Sequence, residues 1–135
     1  MTSDDIALVR SSWAQLQPQA DQLGTALYQR MFNDNPDLRH LFKGEMDEQA
    51  HKLMRMVNRA VESLDDLQAL DRVIKMMGAR HSGYGVEDED FPRLREALIT
   101  TLAERLGSDF TAETRTAWIR VYDELAELMM EGGAS

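Results

Sequence analysis

The sequence predicts an all-α protein of about seven helices, and three observations carry that prediction. Apolar residues recur at three- and four-residue spacing nearly throughout. No alternating apolar–polar run is flanked by turn residues, so nothing reads as a strand. The three prolines fall as punctuation between helical stretches. At 135 residues the chain fits one domain, 1–135, with "EGGAS" at 131–135 expected to be a frayed tail. Helix lengths vary too much for a plain four-helix bundle, and no internal repeat or low-complexity stretch appears.

The first helix is predicted from about Asp4 to Leu16, with Ile6, Val9, Trp13 and Leu16 on one face. Ser3 or Thr2 is its N-cap, and Asp4 and Asp5 suit the positive helix start. A second runs from about Asp21 to Phe32 on a stripe of Leu23, Leu27 and Met31. Asn35 followed by Pro36 opens a short helix that ends near Leu41–Phe42. Another begins near Asp47 and carries Leu53, Met56, Val57, Ala60 and Leu64. "SLDD" at 63–66 has the form of a capping box before the helix holding Leu67, Leu70, Val73, Ile74 and Met77. Gly83 and Gly85 end that helix. Helices from about Glu89 to Leu106 and Thr111 to Met130, separated by "GSDF", complete the set. Trp13, Trp118 and Tyr122 read as core.

Composition excludes several function classes. The formal net charge is -9 and the isoelectric point about 4.7, which on average repels nucleic acid and anionic membranes. The longest apolar runs are a few residues, far from the roughly 20 that a membrane span needs. The start of the chain lacks the basic and apolar regions of a secretory signal. With no cysteine there is no disulfide framework, thiolate nucleophile or zinc–thiolate site, which fits a reducing cytoplasm.

Any metal must therefore be held by carboxylates or by His40, His51 and His81. A lone histidine near a helix end is commonly a solvated or C-capping residue. His81, however, lies within about 40° of Met77 and about 20° of Ile74 on a helical wheel, so it extends the apolar stripe. A buried imidazole there needs a partner. His51 is about 200° from Leu53 and His40 has the same problem beside Phe42, so neither shares that face. No HxxH or HExxH spacing occurs. One protein ligand is too few for a bare metal, but enough when a macrocycle supplies the rest.

The full length of the chain resembles bacterial single-domain globins and the globin domain of flavohaemoglobins. The pieces that carry the resemblance are "LYQRMFNDNPDLRHLF" at 27–42, "DEQAHKLMRMVNRAVESLDDL" at 47–67 and "GARHSGYGVEDEDF" at 78–91, with "LVRSSW" and "TAWIRVYDELA" near the ends. The resemblance implies a globin fold around haem b, with His81 as the proximal iron ligand and Phe42 stacked on the porphyrin. Tyr28 and Gln49 take the distal positions, with Leu53 one turn on; Gln49 and Leu53 lie about 40° apart, on one face. Lys52 and Arg80 fall where cations meet the haem propionates, and Met77, Tyr84, Val86, Phe91, Leu94 and Leu98 match pocket-lining positions. Two hydrogen-bond donors in a dry pocket, the Tyr28 hydroxyl and the Gln49 amide, imply high oxygen affinity and slow release.

There are departures from that pattern. "KGEMDE" between Phe42 and Gln49 is shorter than in many flavohaemoglobins. Phe91 stands where they place a tyrosine and Gly133 near where they place a glutamate, which weakens support of His81 from behind. No flavin- or NAD-binding module follows. The resemblance thus implies a monomeric or homodimeric, cytoplasmic haem protein that takes up oxygen and nitric oxide. Nitric-oxide dioxygenation with an external reductase is the implied chemistry; oxygen storage or delivery uses the same residues, and gas sensing is the remaining alternative.

Overall fold

The computed structural model describes residues 1–42, 44–83 and 86–134, with the backbone alone for 81–83 and 134. Among them are six α-helices and no strand. These are α1 (Ser3–Leu16), α2 (Ala20–Asp34), α3 (Met46–Glu62), α4 (Leu67–Gly83), α5 (Asp90–Leu106) and α6 (Ala112–Ala134), joined in part by short 3-10 segments at Gln17–Gln19, Pro36–Leu41 and Gly107–Asp109.

Helix α1 starts where the sequence predicts. The Asp5 N–H donates to the Thr2 hydroxyl at 3.1 Å and the Thr2 N–H donates to the Asp5 carboxylate at 2.9 Å, a reciprocal cap. That backbone N–H, aided by Arg120 at 3.3 Å, holds the Asp5 carboxyl below the usual carboxylate range. The "SLDD" expectation needs correction. Ser63 is the residue that closes α3, its N–H donating to the Ala60 and Val61 carbonyls. Asp66 is the residue that opens α4, with its carboxylate accepting from the Ala69 N–H at 3.4 Å. A tight reversal has room for one closing and one opening residue, and the reciprocal box does not form. The end of α3 is instead covered by Arg10, whose guanidinium donates to the Val61 and Glu62 carbonyls at 3.2 and 2.9 Å and to Asp65 at 3.2 Å.

The core joins α1, α2, α3, α5 and α6 through Val9, Trp13, Leu27, Met54, Leu102 and Trp118, all buried. The two tryptophans sit edge to face at 6.4 Å and each has its N–H satisfied, Trp13 by Asn58 at 2.9 Å and Trp118 by Ser12 at 2.8 Å. From α4 only the first residue, Leu67, packs against this cluster among the described residues. Helix α4 packs instead on α6, while α3 packs on α2 and α1.

Two glycines make the α4–α6 contact. A methyl group on Gly78 would lie 1.8 Å from the Met129 carbonyl oxygen, and one on Gly132 would lie 1.9 Å from the Lys75 carbonyl oxygen. The two positions are reciprocal, each glycine seated on the other helix's backbone three residues from its partner glycine. Helix α6 accordingly continues through Ala134, where the sequence suggests a frayed tail from 131. Two apolar positions also depart from expectation. Met56 and Val73, read as stripe residues, are 38% and 45% exposed, because each lies about 140° around its helix from the residue that seats it, Val61 on α3 and Gly78 on α4. The residues of α3 that seat on the core are Ala50, Met54 and Val61.

Gly78→Ala and Gly132→Ala should each destabilise the fold by about 1–3 kcal/mol, since the added methyl meets a carbonyl that belongs to a rigid helix. A urea midpoint unchanged in both variants would refute the interlock.

Candidate functional site

Helices α3 and α4 do not pack on each other, and the residues expected to line the space between them come from several elements. Helix α2 brings Tyr28 into the core, 6% exposed. It does so one turn after Gly24, where an added methyl group would lie 3.0 Å from the Ala50 carbonyl oxygen on α3. The same crossing sets Gln49 and Leu53, both half-buried, on the next stripe of α3. Phe42 terminates the 3-10 segment Pro36–Leu41 and stands edge-on to Tyr28 at 5.2 Å and to Phe32 at 5.3 Å. Phe32 in turn stacks on Tyr28 at 5.9 Å, and the Arg39 guanidinium lies 5.1 Å over the Phe32 ring.

Arg93 of α5 holds that 3-10 segment in place. It donates to Asn35 at 2.9 Å, to Asp37 at 2.5 Å and to Asp90 at 3.2 Å, bridging both ends of the connection to α5. Its hydrogen bond keeps the Asp37 carboxyl below the usual range. Sequence reasoning did not find Arg93, since two of its three partners, Asn35 and Asp37, lie more than fifty residues away. Nor did it find the bond from the Tyr122 hydroxyl to the Phe91 carbonyl at 2.7 Å, which ties the start of α5 to α6. Burial raises the Tyr122 phenol well above its ordinary range, Arg95 opposing and Asp123 adding to the effect.

The Tyr28 hydroxyl is the distinctive group. Burial alone pushes its pKa up to about 12, and it makes no hydrogen bond among the described residues. Yet no fully buried side-chain polar atom among those residues lacks a partner. The hydroxyl therefore borders open space. It is a neutral donor without an acceptor among the described residues, the kind of group that a bound polar ligand completes.

The other predicted site residues are placed as follows. Leu53 and Leu94 are half-buried against the core and Leu98 is buried within it. Met77, Val86 and Phe91 are half-buried, whereas Lys52 and Arg80 are exposed. The backbone of position 81 continues α4; the His81 side chain and all of Tyr84 lie outside the described residues. The structure thus brings Tyr28 and Phe42 into direct contact and puts Phe42, Leu53, Leu94 and Leu98 on one cluster. The remaining histidines are occupied at the surface. His51 pairs with Asp21 at 3.1 Å, and the His40 ring donates to the Asp37 carbonyl. No cluster of metal-ligating side chains occurs among the described residues, and no helix is long and apolar enough to cross a membrane.

Comparison with known proteins agrees with this geometry. The Globin family model matches residues 25–129. Neuroglobin of Tetraodon nigroviridis is 30% identical over 148 residues, spanning 99% of this chain and 93% of that protein. Neuroglobin of Danio rerio is 29% identical with the same coverage. A solved structure from Rhodothermus marinus, an engineered carbene transferase made from a nitric oxide dioxygenase-like globin, superposes with a TM-score of 0.90 at 30% identity, covering 99% of this chain and 94% of that one. By sequence and by architecture, the chain belongs to the globin family.

Proposed function

We propose that this globin holds haem b between α3 and α4, with His81 as its iron ligand, and takes up oxygen with high affinity to support nitric-oxide dioxygenation. The observation that carries the reading is the Tyr28 hydroxyl, desolvated and without an acceptor among the described residues. When bound, haem supplies the iron centre at which nitric oxide, oxygen and one electron give nitrate. The similarity to a nitric oxide dioxygenase-like globin of Rhodothermus marinus supports that chemistry over simple carriage.

The protein's own part is to orient, donate and exclude water. With a pKa of about 12, Tyr28 stays a neutral phenol at every pH below about 10, so its proton is available for donation. The Gln49 amide on the neighbouring helix is a second donor. Both act in a space walled by Leu53, Phe42 and Leu98, where a hydrogen bond to a ligand gaining negative charge is stronger than in water. Phe42, braced by Tyr28 and Phe32, offers a rigid aromatic edge against which a macrocycle would stack. Met77, Val86, Phe91 and Leu94 add apolar wall, and Tyr84 belongs to the same set by resemblance. Lys52 and Arg80, exposed on α3 and α4, would meet the propionate carboxylates at the rim. An external reductase would return the electron each turnover consumes.

Tyr28→Phe should speed oxygen release about ten- to a hundredfold, the loss of one hydrogen bond to a charged acceptor; stopped-flow release at the wild-type rate would sink the donor role. Replacing His81 by glycine should abolish the wild-type Soret spectrum, with added imidazole restoring it. Should the variant keep an identical spectrum, the ligand assignment fails. Dioxygenation predicts one nitrate per nitric oxide mixed with the oxygenated protein, and many turnovers once a reductase is supplied; nitrate absent under both conditions leaves a carrier.

A further inference from the structure

The exposed faces of α3 and α4 carry a second pattern, of which the haem reading uses Lys52 and Arg80 alone. On α3, Lys52, Arg55, Met56 and Arg59 fall within about 100° of arc. On α4, Arg72, Val73, Met76 and Arg80 do the same. All eight are exposed, Met56, Val73 and Met76 by 38%, 45% and 51%. Apart from Met1, these three are the exposed large hydrophobics among the described residues. None of the five cations forms an ion pair there, whereas Arg10, Arg30, Lys75, Arg93, Arg95 and Arg120 all do. A chain of net charge -9 thus leaves five cations uncompensated around its exposed methionines.

The register of the two helices puts both stripes on one side. Going round α3 from Lys52, the order is the basic stripe, then Gln49, Ala60 and Leu53, then the core-seated Val57, Ala50 and Val61. Going round α4 from Arg80 in the same sense, the order is the basic stripe, then Met77 and position 81, then Gly78 against α6. The two helices are joined by the short Ser63–Asp66 turn, a connection that reverses the chain direction as between antiparallel helices. In antiparallel helices the same rotational order makes the middle stripes face each other and the basic stripes share the solvent side. The unpaired cations and exposed methionines therefore frame the outer mouth of the gap.

From this frame we infer a docking surface for an acidic electron-donor protein. The inference rests on the haem reading and names the partner which that reading requires. Arginine and methionine are the residues enriched at protein interfaces, and lysine is depleted there; this surface holds four arginines to one lysine. A basic rim on an acidic protein steers an acidic partner to that rim and turns other orientations away. The step itself is an outer-sphere transfer: the donor's reduced flavin loses one electron, the ferric iron gains it, and no bond forms or breaks. Exposed Glu48 lies within the α3 stripe and Glu62 at its edge, neither pairing to its cations, so across both helices the five cations outnumber these two carboxylates.

The test uses the full ferric, haem-loaded chain with reduced flavodoxin, an acidic flavin protein, as the probe. Arg55→Glu/Arg59→Glu removes rim charge without touching the residues assigned to the pocket. Arg105→Glu/Arg115→Glu makes the same change in net charge at residues off α3 and α4. At low salt the rim pair should slow reduction at least tenfold and raise the Kd for oxidised flavodoxin in parallel, and the control pair should stay within about twofold. Equal slowing in both pairs, or none in either, overturns the docking surface and leaves the haem reading standing. Loss of phosphatidylserine-vesicle binding in the rim pair, with reduction unchanged, overturns it in favour of a membrane surface. A wild-type protein with no Soret band after haem addition overturns both readings together.

Discussion

The contact on which this globin depends is the backbone-to-backbone seat of α4 on α6. Gly78 rests on the Met129 carbonyl and Gly132 on the Lys75 carbonyl, so neither helix has room for even one methyl between them. A helix held this closely on one side cannot also lean across to α3. The separation of α3 from α4 is therefore set from outside the gap, by the absence of two side chains. Leu53 and Ala60 on α3 and Met77 on α4 stay half-buried, on helices that do not pack on each other. A rigid wall on one side of a binding site lets apolar lining persist without collapse, because closing the gap would break a tightly packed contact elsewhere.

The opposite wall is fixed by polar means. Arg10 covers the carbonyls that end α3, and Trp13 reaches Asn58 on the same helix. Arg93 ties the 3-10 segment bearing Phe42 to the start of α5, and Tyr122 ties that same start to α6. The arginine and Tyr122 bonds each run from a side chain on one element to a turn, helix end or connection on another, and the Trp13–Asn58 bond joins α1 to α3 directly. Phe42 and Tyr28 are consequently braced from several directions, which suits groups meant to hold a ligand in one orientation. The Tyr28 hydroxyl, by contrast, has no acceptor among the described residues. Its raised pKa follows from burial alone, and burial without a partner is stable only because the hydroxyl still borders open space.

Local patterns made most of the helices legible in the sequence. The Thr2–Asp5 cap, the Asn35–Pro36 opening of the 3-10 segment and the stripe of Leu23, Leu27 and Met31 all depend on residues within a turn or two of one another. "SLDD" misled because a capping box describes a helix start in isolation, while here one short reversal must serve the end of α3 as well. Met56 and Val73 misled for a related reason: apolar spacing marks a face but does not say whether protein, ligand or solvent lies against it. The glycine seat and the Arg93 and Tyr122 bridges were illegible, since each joins positions tens of residues apart. Phe42, Gln49, Leu53 and Tyr28 became readable as a set through family resemblance, and the direct Tyr28–Phe42 contact is the part of that set that geometry adds.

The two stripes on each of α3 and α4 follow from helical periodicity, and they join the chemistry of the gap to its surroundings. A helix that presents one arc to the core and the next to a cofactor has about 100° of arc left beside the opening. Whatever occupies that arc meets any partner approaching the cofactor edge. Here it is arginine and methionine on both helices, and the arginines form no ion pair among the described residues although the chain carries a net charge of -9. Charge placed elsewhere would act on a partner at a distance that salt screens, whereas charge on this arc acts within a few ångströms of contact. The same two helices can then fix what binds inside the gap and bias what docks outside it, without a separate recognition domain.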